Sequence, residues 1–354
     1  MPNNLYCSYY LADLDYICRF KAIDWALLQG KTILISGSTG QIGSCLVDAI
    51  MQKNHIDNLN CHVICLTRNT EKARQRFGRW EDCALSFESV DVTAPGDSFW
   101  QLKADYILHL ASNTHPIAYA SDPIGTIKTN IIGTDNLLKL ATLNAGTHFL
   151  LASSNEVYGE NRGDTVLFEE SYCGYIDCNT LRAGYPESKR CSEALVQAYR
   201  CKFGLHSVIA RLTRTYGPTL RPDDSKALSQ FINNALRKED IVLKSAGNQY
   251  YSYTYVADAV TGLLTILTKG EDGEAYNIAE PNFDIRLAEV AEIVAKIGGC
   301  SVRVEKPGTV ESKGFSKVTT SRLDSSKIAT LGWKAVYPLK EGLQKTLIIM
   351  KEYA

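Results

Sequence analysis

Tyr185-Pro186-Glu187-Ser188-Lys189 sets a phenol and an ammonium four residues apart, on one face of a helix, where both can reach one ligand. A tyrosine at its ordinary pKa of about 10 is a poor base at neutral pH. Lowering that value by about 3 units takes roughly 4 kcal/mol, and an adjacent ammonium stabilises the anion in that sense. A second group stands upstream, where the apolar run Phe149-Leu150-Leu151-Ala152 stops at Ser153-Ser154-Asn155-Glu156. A buried strand has no structural need to end on two hydroxyls and a carboxylate. The two clusters together offer a base for an alcohol and a carboxylate able to move a second proton.

These side chains need elements that bring them to one place. KTILIS (31–36) and CHVICLT (61–67) read as short buried strands, each followed by a helical pattern. DYILHLAS (105–112), THFLLAS (147–153) and HSVIARL read as further strands, with long helices over about 122–145 and 180–203 between them. Strands alternating with helices predict an α/β fold, a Rossmann-type doubly wound parallel sheet whose strand C-termini share one ligand-binding edge. Residues 1–30 read as an N-terminal helical extension with a packing role, and 31–212 as the dinucleotide-binding unit. Residues 213–354 read as a smaller, mainly substrate-binding α/β lobe, some of whose segments return to the first unit. Helices near 225–238, 256–269 and 286–297 and a Tyr-rich strand QYYSYTY fall in this lobe.

The loop after the first strand, Gly37-Ser38-Thr39-Gly40-Gln41-Ile42-Gly43, spaces three glycines as G-x-x-G-x-x-G and opens a helix. A tight turn and a close approach to a pyrophosphate tolerate no side chain, and the helix N-terminus offers unpaired N–H groups. NAD(P) is therefore the expected cofactor. The second strand ends in Thr67-Arg68-Asn69 with no acidic residue, so Arg68 pairs with a 2′-phosphate and favours NADP, or stacks on the adenine and suits NAD as well. Asp91, with Val92 beside it, falls where the adenine edge would lie, or is a turn aspartate. Leu110, Ala111, Ser112, Asn130, Ser153, Tyr185 and Lys189 complete the expected cofactor contacts.

The balance of 38 basic and 39 acidic residues among 354, a formal net charge of −1, gives no field to attract nucleic acid or an anionic membrane. No apolar stretch approaches the ~18 residues of a membrane span, and the start does not read as a signal peptide. Eleven cysteines without a C-x-x-C pair fit free thiols in a cytoplasmic protein, and no metal site is expected.

GSTGQIG, ILHLAS, TNIIGTDNLL, SSNEVYG, YPESK, RTYGP and YTYVADAV occur in this order from about 31 to 260, with LGWKA near 331. Together they resemble the extended short-chain dehydrogenase/reductases of the nucleotide-sugar epimerase/dehydratase family. The resemblance implies a tightly held cofactor and a sugar hydroxyl, usually at C4, that is oxidised transiently. It implies Tyr185 as the base on that hydroxyl, Lys189 as its electrostatic partner and Ser154 as hydrogen-bond donor to the reacting oxygen. Glu156 would then be the base at C5, as in 4,6-dehydratases or UDP-glucuronate decarboxylases, or would only bind a sugar hydroxyl. Asn155 departs from the dehydratase pattern, because an amide cannot act as an acid toward a leaving hydroxyl. Asn113, Asn155, Arg214, Arg221 and Tyr251 are the expected substrate contacts, with Lys226 a further basic candidate.

Tyr251 stands where the family carries an arginine for the substrate diphosphate, and Arg214 where it carries asparagine. Arg214 is thus expected to supply the lost guanidinium. The missing arginine counts against UDP-glucuronate decarboxylation. Alternatives are a 4-epimerase, an NADPH-dependent keto-sugar reductase and a non-catalytic NAD(P)-sensing module. The family resemblance also implies a homodimer built on the helices around 122–145 and 180–203, and a nucleotide-diphosphate sugar as substrate.

Overall fold

The computed structural model describes residues 3–80, 84–114, 121–221, 224–305 and 318–353. Its centre is a seven-stranded sheet. Six of the strands are β1 (Thr32–Ser36), β2 (His62–Thr67), β3 (Leu85–Ser89), β4 (Tyr106–His109), β5 (His148–Ser154) and β6 (His206–Leu212). After them come β7 (Arg214–Tyr216), β8 (Ile241–Leu243), β9 (Tyr250–Tyr251), β10 (Tyr253–Tyr255) and β11 (Ala275–Ile278). The last of these closes the sheet, which runs β11-β6-β5-β4-β1-β2-β3 with every neighbour parallel. A parallel sheet covered on both faces explains why strands such as TILIS and FLLAS are apolar throughout instead of alternating.

The chain leaves β1 toward β2 on one side and reaches β4 on the other, so the strand order reverses between β1 and β4. That reversal opens a crevice at the carboxyl ends, where ligands of such sheets bind. Ser36 pairs with His109 and Ser154 with Leu212, so the loops that follow β1, β4, β5 and β6 all emerge at this edge. The helices Pro123–Thr142 and Gly184–Phe203 pack side by side on one face. The helices Gln41–Asp57 and Val256–Lys269 pack together on the other.

Residues 213–354 do not form a separate block, since β11 lies in the main sheet. The rest of that stretch makes small sheets: β7 with β10, β8 with β13 (Val302–Val304), and β9 between β12 (Ile285–Arg286) and β14 (Thr320–Ser321). The single strand expected over QYYSYTY is two. Ser252 interrupts it: its Oγ donates to Asp284 at 2.5 Å and its carbonyl accepts from Thr213 at 2.7 Å, so β9 and β10 find different partners.

The helix Ser8–Cys18 buries Tyr10, Leu14 and Ile17 in the main core. The polar anchor of this segment is Asp48, in mid-helix and wholly buried. It accepts from Tyr6 Oη at 2.8 Å, Tyr10 Oη at 2.7 Å and Trp80 Nε1 at 2.8 Å, and it pairs with Arg76. Among the described residues no helix is long and apolar enough to cross a membrane, and no cluster of His, Cys, Asp and Glu could hold a metal ion.

Candidate active site

A cleft of about 440 Å³ opens at the carboxyl ends of β1, β4, β5 and β6, within the size range of ligand sites. Its floor is the glycine loop. Gly37 has φ +72°, and a Cβ on it would lie 2.6 Å from the Ala111 backbone nitrogen. A Cβ on Gly43 would lie 2.2 Å from the Gly37 carbonyl oxygen. Gly37 must therefore be glycine for the loops after β1 and β4 to touch, and Gly43 for the helix start to pack on the glycine loop itself. The helix Gln41–Asp57 starts here at the cleft edge, and the buried Gln41 Nε2 has no hydrogen-bond partner among the described residues. This cradle fits the pyrophosphate of a dinucleotide. Gly43→Ala is expected to weaken dinucleotide retention at least about tenfold, because the clash is with backbone that cannot rotate away. Nucleotide released on denaturing the purified variant, quantified beside wild type, checks this; undiminished retention contradicts it.

The structure brings most of the expected residues to this cleft. Gly37, Gly40, Gln41, Ile42, Gly43, Leu110, Ser112, Ser153, Ser154, Glu156, Tyr185 and Lys189 line it, as do Asn113, Asn155, Arg214, Arg221, Lys226 and Tyr251. Ser38, Thr39, Ala111, Val92, Arg68, Asp91 and Asn130 do not. Ser38 Oγ instead donates to the Leu66 carbonyl at 3.3 Å, tying the loop to β2. Asn130 is fully buried and bridges two elements: its Oδ1 accepts from Ser112 at 2.7 Å and its Nδ2 donates to Ser188 at 2.8 Å. Asp91 is exposed and caps its own turn; the Thr93 N–H, 2.9 Å away, holds its carboxyl below the usual range, with the Arg68 charge adding to the effect. Arg68 and Asp91 are thus neighbours beyond the ends of β2 and β3.

Tyr185 and Lys189 sit in the first turns of the helix Gly184–Phe203, both buried. Lys189 Nζ donates to the Ala152 carbonyl at 2.8 Å, and burial pushes its ammonium down to about 8 against the opposing charge of Glu193. Ser153 serves the scaffold: its Oγ donates to Glu193 at 2.5 Å, and Glu193 is held by Arg211 at 2.7 Å. Ser154 Oγ accepts the Glu156 N–H at 3.2 Å, which starts the turn that swings Glu156 into the cleft. Asn155 Nδ2 donates to Ser321 at 2.6 Å.

Glu156 is not a lone carboxylate. Arg182 Nη2 stands 2.6 Å from each of its oxygens. Sequence reasoning missed Arg182; the available signal was a basic residue three positions before Tyr185. It also missed His109, whose Nδ1 shares a 2.7 Å hydrogen bond with Ser36 Oγ while its buried Nε2 has no partner among the described residues. Burial, with the Lys189 charge adding, drives His109 down to about 3, so its ring is neutral. Arg214 lies with its guanidinium carbon 3.3 Å from the Tyr251 ring centre, and its buried Nη1 has no hydrogen-bond partner among the described residues.

A crossover sheet, a glycine cradle and a buried Tyr–Lys pair meet at this one cleft. Residues 33–279 match the NAD dependent epimerase/dehydratase family. The chain belongs to this family. It is accordingly an enzyme of the epimerase/dehydratase type, as the resemblance implied. UDP-glucuronic acid decarboxylase 3 of Arabidopsis thaliana is 35% identical over 316 residues, 88% of this chain and 86% of that protein. UDP-glucuronic acid decarboxylase 1 of Xenopus tropicalis is 31% identical over 319 residues, 90% of this chain and 71% of that one. The solved dTDP-glucose 4,6-dehydratase of Streptomyces venezuelae, with NAD and TYD bound, superposes with a TM-score of 0.78 at 26% identity, covering 91% of this chain and 97% of that one.

Proposed function

We propose that this enzyme decarboxylates a UDP-linked uronic acid through a transient 4-keto sugar. The observation that carries this reading over dehydration is the state of Glu156 and Asn155. Dehydration needs a base at C5 and an acid at the leaving 6-hydroxyl. Glu156 is engaged by both oxygens with Arg182, and Asn155 is an amide tied to Ser321. Loss of CO2 from a β-keto acid needs neither. The similarity to UDP-glucuronic acid decarboxylases over most of the chain supports the same choice.

The residues divide the work as follows. Tyr185, its anion favoured by the Lys189 ammonium, takes the proton of the C4 hydroxyl, and Ser154 hydrogen-bonds the C4 oxygen. A nicotinamide dinucleotide bound over the Gly37–Gly43 loop supplies the hydride acceptor, and later the donor, at C4. Once C4 is a ketone, the C5–C6 bond breaks, CO2 leaves, and the electron pair delocalises onto the C4 oxygen. Donors at Ser154 and Tyr185 stabilise that oxyanion, and C5 then takes a proton. Glu156, held by Arg182, lines the cleft beside Ser154 and is left out of the proton transfers.

Arg214 takes the substrate phosphates in place of the arginine that Tyr251 displaces. The displaced arginine counted against decarboxylation in the sequence. The Tyr251 ring now carries the Arg214 guanidinium, which restores a cation at the same wall from a different strand. Arg214→Ala is expected to raise KM for the true substrate about tenfold to a hundredfold, with a smaller fall in kcat, the value of charge-assisted hydrogen bonds. Steady-state kinetics check it, and an unchanged KM refutes the clamp.

For the cofactor, Arg68 favours NADP over NAD, and assaying which nucleotide the purified protein retains decides. A homodimer is supported by the exposed Ile124, Ile127 and Ile132 on the helix Pro123–Thr142 beside the helix Gly184–Phe203, in a protein proposed to work in the cytoplasm. The function is tested by incubating the enzyme with UDP-glucuronic acid, UDP-glucose and dTDP-glucose. CO2 release from the uronate alone is expected. Dehydration of dTDP-glucose without turnover of the uronate contradicts the reading.

A further inference from the structure

We infer that Arg182 is the residue that admits a sugar carboxylate beside Glu156. Glu156 enters the cleft from the turn after β5, and Arg182 from the turn Leu181–Ala183 that leads directly into Tyr185. The two are thus fixed on the segments that carry Ser154 and Tyr185, the groups around the reacting C4 oxygen. Arg182 Nη2 lies 2.6 Å from both oxygens of Glu156, with side chains only 17% and 22% exposed. A uronic acid brings a second carboxylate to this place. Like charges in one cleft repel more strongly as water is excluded, and the Glu156 charge, left alone, would reject the substrate that the cleft is proposed to take. The guanidinium makes the pair neutral, so the uronate meets a balanced wall, while a neutral hexose is indifferent to it. Arg182 is therefore a specificity-determining and positioning residue.

This inference rests on the decarboxylase reading only for its choice of ligand. The test is the Kd of the cofactor-loaded enzyme for UDP-glucuronic acid and for UDP-glucose, by titration calorimetry, in wild type, Arg182→Gln, Glu156→Gln and the double variant. Arg182→Gln is expected to weaken UDP-glucuronic acid about tenfold or more and UDP-glucose less than about threefold, because only the uronate feels the uncovered charge. The double variant, with neither charge, is expected to recover UDP-glucuronic acid to within about threefold of wild type. Arg182→Lys keeps the cation and is expected to keep the uronate preference even if its melting temperature falls. Equal weakening of both ligands by Arg182→Gln, no recovery in the double variant, or loss of the preference in a folded Arg182→Lys overturns the inference. Wild type that binds the uronate without releasing CO2 refutes the proposed function instead, and the binding pattern still decides the role of Arg182.

Discussion

Tyr185→Phe is expected to lower kcat by a factor of about 10² to 10⁴, the range of a single general acid–base group, with little change in KM. The substitution removes one oxygen from a buried ring at the start of a helix, so the fold and the bound dinucleotide should persist. Lys189→Met should lose a similar amount, since it removes the buried ammonium one helical turn after Tyr185 and puts an apolar chain of like shape in its place. The lysine also sets the pH dependence. Its ammonium is pushed down to about 8, so the charge is present below that pH and is lost as pH rises through it. Stabilisation of the Tyr185 anion is lost with it, and kcat/KM is expected to fall on the alkaline side of about pH 8. A pH–rate profile for wild type, with single-turnover kinetics for the variants, checks these results. A Tyr185→Phe enzyme within tenfold of wild type contradicts them.

The largest effect on stability is expected away from the cleft. Asp48→Ala deletes the acceptor shared by Tyr6, Tyr10 and Trp80 and strips the buried Arg76 of its counter-charge. Breaking a buried ion pair on one side costs about 3 to 5 kcal/mol, because the other charge stays buried and uncompensated. Burial and the Asp48 charge also hold the Tyr6 and Tyr10 phenols protonated, far above their ordinary range, so both hydroxyls remain donors that would lose their partner. Urea unfolding is expected to show a loss of that size, accompanied by earlier proteolytic cleavage within residues 1–30. A loss under about 1 kcal/mol would mean that the segment is held by its apolar face alone.

Short-range order explains what could be read from the chain. The glycine spacing, the four-residue Tyr185–Lys189 interval and the polar end of FLLASS are local patterns, and each reports a constraint set within one turn or one strand. The cleft they predicted is the one the sheet edge forms. What escaped the reading depends on contacts between distant segments. Arg182 meets Glu156 only because the chain between them loops out and returns ahead of Tyr185. Asn130 is tied by its amide to Ser112 and Ser188, contacts that no local pattern reports. Asp48 is a polar residue in a helical pattern, a position that usually faces water, and only the arrival of Tyr6, Tyr10 and Trp80 makes it core.

The fate of C6 of the sugar separates decarboxylation from epimerisation most directly. UDP-glucuronic acid labelled with 13C at C6 and turned over in deuterated water tests it directly, with carbon dioxide and the nucleotide sugar analysed together by mass spectrometry. The result predicted here is label found only in CO2 and one deuterium fixed at C5 of the product. Label retained in a C4-inverted uronate, with no CO2, would contradict it.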